Sequence, residues 1–277
     1  MKQVVELEEL RRTIQALPHP LGFVPTMGFL HKGHISLVNL AKKECETVVG
    51  SIFVNPAQFG SGEDLSAYPR DIPGDLQKLD KAGVDLVWLP TPQIMYPKGF
   101  NTWVNVEGVS EPLEGAARPH HFRGVATVVT KLFNAVAPEF AYFGQKDAQQ
   151  VAVIKQLTRD LNFPIQIIVG PTVREPDGLA MSSRNTYLNA DERRAATVLY
   201  RALEKARTAF SKGERKGDAL RAIIRETITS EPLAKLQYAS CADPETLQEQ
   251  DQAVDRTLLS LAVFIGKTRL IDNILLE

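Results

Sequence analysis

The chain has 277 residues, 44% of them hydrophobic, with 32 basic against 33 acidic side chains and a formal net charge of −1. That length suits about two domains, each with its own core, and the balanced charge excludes bulk attraction to nucleic acid or to an anionic membrane. Two distant cysteines, Cys45 and Cys241, exclude a disulfide framework and fit a reducing cytoplasm.

The opening MKQVVELEELRRTI is charged and has Leu7, Leu10, Ile14 and Leu17 on one face. It predicts a helix over residues 6–16 rather than an apolar leader. The apolar run Leu21–Pro25 reads as a strand. A turn with Gly28 and Gly33 follows, and then Ile35, Leu37, Val38 and Leu40 at helical spacing. Strand, glycine turn and helix together aim a helix N-terminus at a ligand, and its unpaired N–H groups favour an anion. His31 and His34 sit in that turn and add donors that are cationic or close to it.

Three readings of the two histidines compete. They are ordinary turn residues; or metal ligands, which would need a third soft or imidazole partner that neither cysteine supplies by spacing; or they belong to a nucleotide site, for which His-x-Gly-His after a strand and opening a helix is a signature.

Thr47–Val54 predicts a buried strand that ends in Asn55-Pro56-Ala57-Gln58-Phe59. Gly60-Ser61-Gly62 lacks the third glycine of a dinucleotide fingerprint. A helix over Pro73–Ala82 leads to a strand at Val84–Leu89. A long Pro-containing connection follows, with a short strand expected at Thr102–Val106. Arg118-Pro119-His120-His121-Phe122-Arg123 precedes an apolar helix, Val125–Val136. The strand Glu139–Phe143 ends at Gly144-Gln145-Lys146-Asp147, with Asp147 placed to cap a helix running to Asp160. Ile165–Val169 is a further strand.

The first ~170 residues thus alternate strand and helix, the pattern of a parallel sheet covered on both faces. Gly170–Gly178, with two prolines and two glycines, reads as a junction. A long helix from Asp191 to Lys212, a second over Asp218–Thr229, and strands at Leu236–Ala242, Leu258–Ile265 and Thr268–Leu276 follow. The fold class is α/β: a Rossmann-like parallel sheet with helices on both faces over residues 1–175, and a smaller C-terminal α+β lid domain over 176–277. The longest near-apolar run, Leu258–Ile265, is far short of the ~20 residues that span a bilayer.

PTMGFLHKGH (25–34), FVNPAQF (53–59), YPRD (68–71), HFRGVATVV (121–129), FGQKDAQQ (143–150) and REPDGLAMSSRN (174–185) together resemble the pantoate–β-alanine ligases, within the nucleotidyltransferase superfamily. One departure is Phe29, where that family has a small residue. The last ~90 residues carry no motif of it. The resemblance implies ATP-dependent condensation of (R)-pantoate with β-alanine through a pantoyl adenylate, with release of pyrophosphate and AMP. It implies a cytoplasmic homodimer, ATP as substrate, and Mg2+ arriving with the ATP phosphates.

It also implies the site. His34, His31, Lys146 and Arg184 are the expected catalytic residues. Met27, Gly28, Gly144, Gln145, Asp147, Val173, Met181, Ser182 and Ser183 join them around ATP, and Gln58, Gln150 and Asn55 are expected on pantoate and β-alanine. His121, Arg118 and Arg123 are further candidates for the same pocket or its lid. Asp75 could touch the metal, although an acid in a helix's first turn needs no such role.

Read from the residues alone, Lys146 is a mobile point charge suited to phosphate oxygens. Two serines and Arg184 can grip pyrophosphate through charge-assisted bonds, or a serine there can simply cap a helix. Neutral Gln58 and Gln150 can donate to a carboxylate without neutralising it as a nucleophile. A simple nucleotidyltransferase that stops at an adenylated product, and a module that only senses ATP, are the alternatives.

Overall fold

The computed structural model describes all 277 residues, Met1–Glu277. The chain forms two compact units, Met1–Gly144 with Val153–Pro171, and Gln145–Ala152 with Thr172–Glu277. The division falls at 171/172, and the stretch after the fifth strand groups with the second unit.

In the first unit, strands β1 (Lys2–Val4), β2 (Leu21–Thr26), β3 (Thr47–Ile52), β4 (Leu86–Trp88), β5 (Phe140–Gly144) and β6 (Gln166–Gly170) make one sheet in the order β1-β4-β3-β2-β5-β6. Every pairing is parallel. Helices α1 (Leu7–Ile14), α2 (Lys32–Glu44), α3 (Ile72–Lys81), α4 (Pro92–Met95), α5 (Glu114–Ala117), α6 (His121–Val136) and α7 (Ala148–Asp160) connect the strands, with α4, α5 and α6 together between β4 and β5 and the first turn of α7 in the second unit. β3 is buried at all six residues, as a strand flanked on both sides and covered on both faces must be. Val24, Val38, Val48, Ile52, Leu79 and Val87 pack together in one core between sheet and helices.

Strand order runs outward from β2 through β3 and β4, then returns to β5 beside β2. The switch point therefore lies between β2 and β5. In open α/β sheets the ligand crevice forms beyond the strand ends at that point. The histidine turn follows β2, and Gln145–Asp147 follows β5.

In the second unit, α8 (Ala190–Ala195), α9 (Val198–Ser211) and α10 (Gly217–Thr229) precede an antiparallel sheet of β7 (Ala234–Ala242), β8 (Leu258–Ile265) and β9 (Thr268–Leu275), in that order. Leu199, Leu203, Phe210, Leu220, Ile224 and Leu261 form its own core.

Two expectations are corrected. The stretch expected as a strand at Thr102–Val106 has no regular structure, because the Val104 N–H donates to the Thr127 hydroxyl (3.0 Å) instead of to a ladder. The single helix expected from Asp191 to Lys212 is two helices, α8 and α9. Between them the turn tightens to a three-residue hydrogen bond from Leu199 N to Ala196 O, and the Thr197 hydroxyl donates back to Arg194 O, a habit of Ser and Thr that bends helices. No helix is long and apolar enough to cross a membrane.

Candidate active site

β2 delivers the chain into the histidine turn. Gly28 has φ +83°, a left-handed conformation glycine adopts without cost. A Cβ there would meet Ile52 Cγ2 at 3.0 Å and Asp75 Oδ2 at 3.1 Å. Phe29, the departure from the family pattern, is also left-handed at φ +50°, which bulky residues rarely adopt.

Asp75 of α3 holds this strained turn. Its Oδ2 accepts from Phe29 N at 2.6 Å and its Oδ1 from Leu30 N at 2.7 Å, with no exposed surface. Lys78 Nζ lies 3.6 Å from Oδ1. Both carboxylate oxygens are therefore engaged by backbone and lysine, and Asp75 braces the turn.

α2 begins at Lys32, three residues before the expected apolar face, so His31 is its N-cap. The Gly33 N–H donates to His31 Nδ1 and the His31 N–H donates to His34 Nδ1, each at 3.2 Å, a reciprocal capping box. In this arrangement Nδ1 of each ring is the nitrogen turned to the backbone. The rings lie 4.1 Å apart, centroid to centroid. The cap thus sets both imidazoles at the positive end of a 13-residue helix.

A second group in the same unit is built on Asn55 and Gln58. Asn55, expected on pantoate or β-alanine, is 1% exposed. Its amide donates to Gln58 Oε1 and Gly124 O, both at 3.1 Å, and its carbonyl accepts from Ala57 N and from the Tyr96 hydroxyl (2.7 Å). All four of its hydrogen-bonding capacities are engaged inside the chain, and one of those bonds holds the Gln58 side chain. Burial pushes the Tyr96 phenol up to about 12, which keeps it a donor.

Gln58 Nε2 reaches only Met27 Sδ, at 3.0 Å. A thioether is a weak acceptor, and the amide carries a second hydrogen beyond it. Gly124 in α6 makes the packing possible: a Cβ there would lie 2.3 Å from Ala57 O.

Arg118 and His121 stand behind Gln58. His121 Nδ1 is 2.8 Å from Gln58 O, so it donates there, which leaves Nε2 to accept from Arg118 Nη1 at 3.2 Å. Arg118 is fixed in turn by a bidentate pair to Glu63 at 2.9 and 2.6 Å. Burial, with the Arg118 charge, pushes the His121 imidazole down to about 4. Arg123 is exposed and lies over the Trp103 ring at 4.8 Å.

Gly144, the last residue of β5 and of this stretch of the first unit, has nothing within 4 Å of where a Cβ would stand. In the second unit, Gln145, Lys146 and Asp147 form a 3-10 turn ahead of α7. Lys146 Nζ is 3.5 Å from Asp147 Oδ1. Gln150, half-buried on α7, gives its side chain to no protein partner.

Also in the second unit, the segment from Val173 to Met181 folds as a hairpin, with Met181 N donating to Val173 O at 3.0 Å and a bridge between Arg174 and Ala180. Ser182 caps the next 3-10 turn, its hydroxyl oxygen accepting from Arg184 N at 3.3 Å. Ser183 is buried and Arg184 half-buried.

Sequence reasoning missed Arg174, Asp272 and Asn273. Arg174 pairs with Asp272 at 2.6 and 2.9 Å, and Asn273 binds the Gln145–Lys146 turn. Burial pushes the Asp272 carboxyl up while the guanidinium draws it back. Arg174 opens the REPDGLAMSSRN motif; the one legible signal of the other two is a polar Asp-Asn pair inside the apolar run Leu270–Leu276. No group of three or more His, Cys, Asp or Glu gathers as a metal cage.

A doubly wound parallel sheet, with a histidine-capped helix opening beyond a strand end at the switch point, defines an α/β protein of the kind whose ligand crevice lies beyond the strand ends. A family profile described as pantoate–β-alanine ligase matches residues 1–275. The chain is 57% identical over 278 residues to a pantothenate synthetase of Herpetosiphon aurantiacus and 58% identical over 277 residues to one of Roseiflexus castenholzii, with all of each chain covered.

Among solved structures, pantothenate synthetase from Thermus thermophilus superposes with a TM-score of 0.95 at 46% identity, 99% of each chain covered. A Francisella tularensis pantoate–β-alanine ligase, complexed with β,γ-ATP and β-alanine, does so at 0.82 and 37%, covering 99% of this chain and 97% of its own. The chain belongs to the pantoate–β-alanine ligase family.

Proposed function

We propose that this enzyme joins pantoate to β-alanine in two steps driven by ATP. A carboxylate oxygen of pantoate attacks the α-phosphorus; the bond to the bridging oxygen breaks and pyrophosphate leaves. The β-alanine amine then attacks the acyl carbon of the pantoyl adenylate. The C–O bond breaks, the amine loses a proton, and AMP departs with one oxygen that began in pantoate.

The observation that carries this reading is the histidine cap. Negative charge grows on the α-phosphate and on the departing pyrophosphate, so catalysis is mostly positioning and charge stabilisation. The capping box sets two imidazoles at a helix N-terminus, each tied to the backbone through Nδ1. His34 and His31 act as phosphate donors, and Lys146 supplies a point charge. Arg184, Ser182 and Ser183 hold pyrophosphate. Met27, Gly28, Gly144, Gln145, Asp147, Val173 and Met181 complete the nucleotide contacts.

Gln58 and Gln150 bind the pantoate and β-alanine groups through neutral amides, with Asn55 holding Gln58 in place. The spare hydrogen on Gln58 Nε2 supports this assignment. A simple nucleotidyltransferase would have no use for it.

Mg2+ is proposed to arrive on the triphosphate. The chain offers no cage of carboxylates or histidines for it, and a magnesium that keeps several waters on phosphate oxygens needs none. When bound it would neutralise phosphate charge. The family resemblance supports a cytoplasmic homodimer.

Pantoate labelled with heavy oxygen in its carboxylate tests the mechanism. One label is expected in AMP. Label found only in inorganic phosphate would mean γ-phosphoryl transfer through an acyl phosphate and would overturn the adenylate.

A further inference from the structure

From Leu270 to its end at Leu275, β9 is apolar except where Asp272 and Asn273 interrupt it, and both are nearly inaccessible, at 2% and 4% exposure. Buried polar side chains are kept where they make hydrogen bonds, and these make many. Asn273 Nδ2 donates one hydrogen to Gln145 O at 3.0 Å and the other to Lys146 O at 2.8 Å, while its Oδ1 accepts from Gln145 Nε2 at 3.1 Å. Asp272 holds Arg174 with both oxygens and also accepts from Asn273 N at 2.8 Å. Arg174 in turn donates to Asn273 O and Gly178 O, and its guanidinium lies 4.3 Å from the Tyr200 ring centroid.

We propose that Asn273 is a positioning residue for adenylation: it clamps the backbone of the Gln145–Asp147 turn and so fixes where Lys146 begins. This rests on the reading of Lys146 as a phosphate-binding lysine. A 3-10 turn of three residues has poor internal hydrogen bonds and does not hold itself. Lysine adds a long flexible stem with four rotatable bonds, so the place of its ammonium depends on how firmly its Cα is held.

Asn273 supplies the restraint from the last strand of the chain, about 128 residues away. Two donors for two carbonyls and one acceptor for one amide is a match that only a side-chain amide provides. An aspartate of the same shape loses both donors. Asp272, through Arg174, makes the same strand the anchor of the Val173–Met181 hairpin.

The test is single-turnover pyrophosphate release from ATP and pantoate, with the full chain. Asn273→Ala and Asn273→Asp should each slow adenylation about ten- to a hundredfold, the scale of a small misplacement, while the KM for β-alanine stays near that of the parent; the melting temperature should fall, more for Asn273→Asp, which sets a buried carboxylate against two carbonyl oxygens. Asn273→Ala combined with Lys146→Ala should be no slower than Lys146→Ala alone, because the first acts through the second.

Effects that multiply, or an active Asn273→Asp, would overturn the proposal. A normal rate for Lys146→Ala would instead remove the phosphate role of Lys146, and the proposal with it. Should Asn273→Ala fail to fold, Asn273→Ser carries the same cycle. Unfolding of both would make Asn273 a structural residue only, and would likewise overturn the proposal.

Discussion

At the scale of one residue, His121 shows how a polar side chain is spent on support. It is 8% exposed, donates to Gln58 O, and accepts from Arg118. A protonated ring would have no lone pair for that guanidinium and would add a second buried cation beside it. Its value of about 4 in the folded chain therefore lies below the ordinary ~6.5. Between those values the unfolded chain binds a proton that the folded chain refuses. Stability should be present in full above about pH 6.5, fall as pH drops towards 4, and level off below that, with a total of roughly 3 kcal/mol. Melting temperatures of the parent and of His121→Gln across that range check it. The difference between the two curves should shrink as pH falls, and a constant difference would mean His121 charges without cost.

At the scale of an element, the strand–turn–helix from β2 to α2 is held by a residue from α3. Asp75 accepts the Phe29 and Leu30 N–H groups across 46 and 45 residues of sequence. Asp75→Ala leaves two buried donors unsatisfied, each costing about 1–3 kcal/mol. It also frees a left-handed phenylalanine to relax. We expect the urea midpoint to drop and adenylation to slow, since the histidine cap starts two residues on. An Asp75→Ala enzyme with normal adenylation would show that the cap keeps its geometry unaided. Asp75→Asn is a sharper probe: it retains one acceptor but turns an NH2 group towards a donor, so it too should be destabilised.

At the scale of the whole molecule, the two units have separate cores. Leu203 is fully buried among Leu199, Ile224 and Leu261 in the second. Leu203→Ala should cost about 2–5 kcal/mol through lost burial and an unfilled cavity. The loss belongs to that core. Hydrogen exchange should therefore quicken in α9, α10 and β7–β9, while the amides of β2 and β3 keep their protection. Equal loss of protection in both sheets would mean the chain unfolds as one cooperative unit.

The sequence by itself determined the alternation of strand and helix through β6, the change to helices followed by strands, and the His-x-Gly-His turn at a helix start. These depend on periodicity and on caps within a few residues, which local spacing carries. The family, too, was legible in short motifs. Local spacing misled where a single tertiary bond decided the outcome, as at Val104, whose N–H goes to Thr127. Only the tertiary structure decided which polar residues are consumed inside the fold. Asn55 holds Gln58, Asp75 holds the histidine turn, and His121 holds the backbone of Gln58. Asn273 was unremarked and holds a turn 127 residues away. The reason is physical: a buried hydrogen bond needs a partner within about 3 Å in space, and nothing in the spacing along a chain says which distant carbonyl will be there.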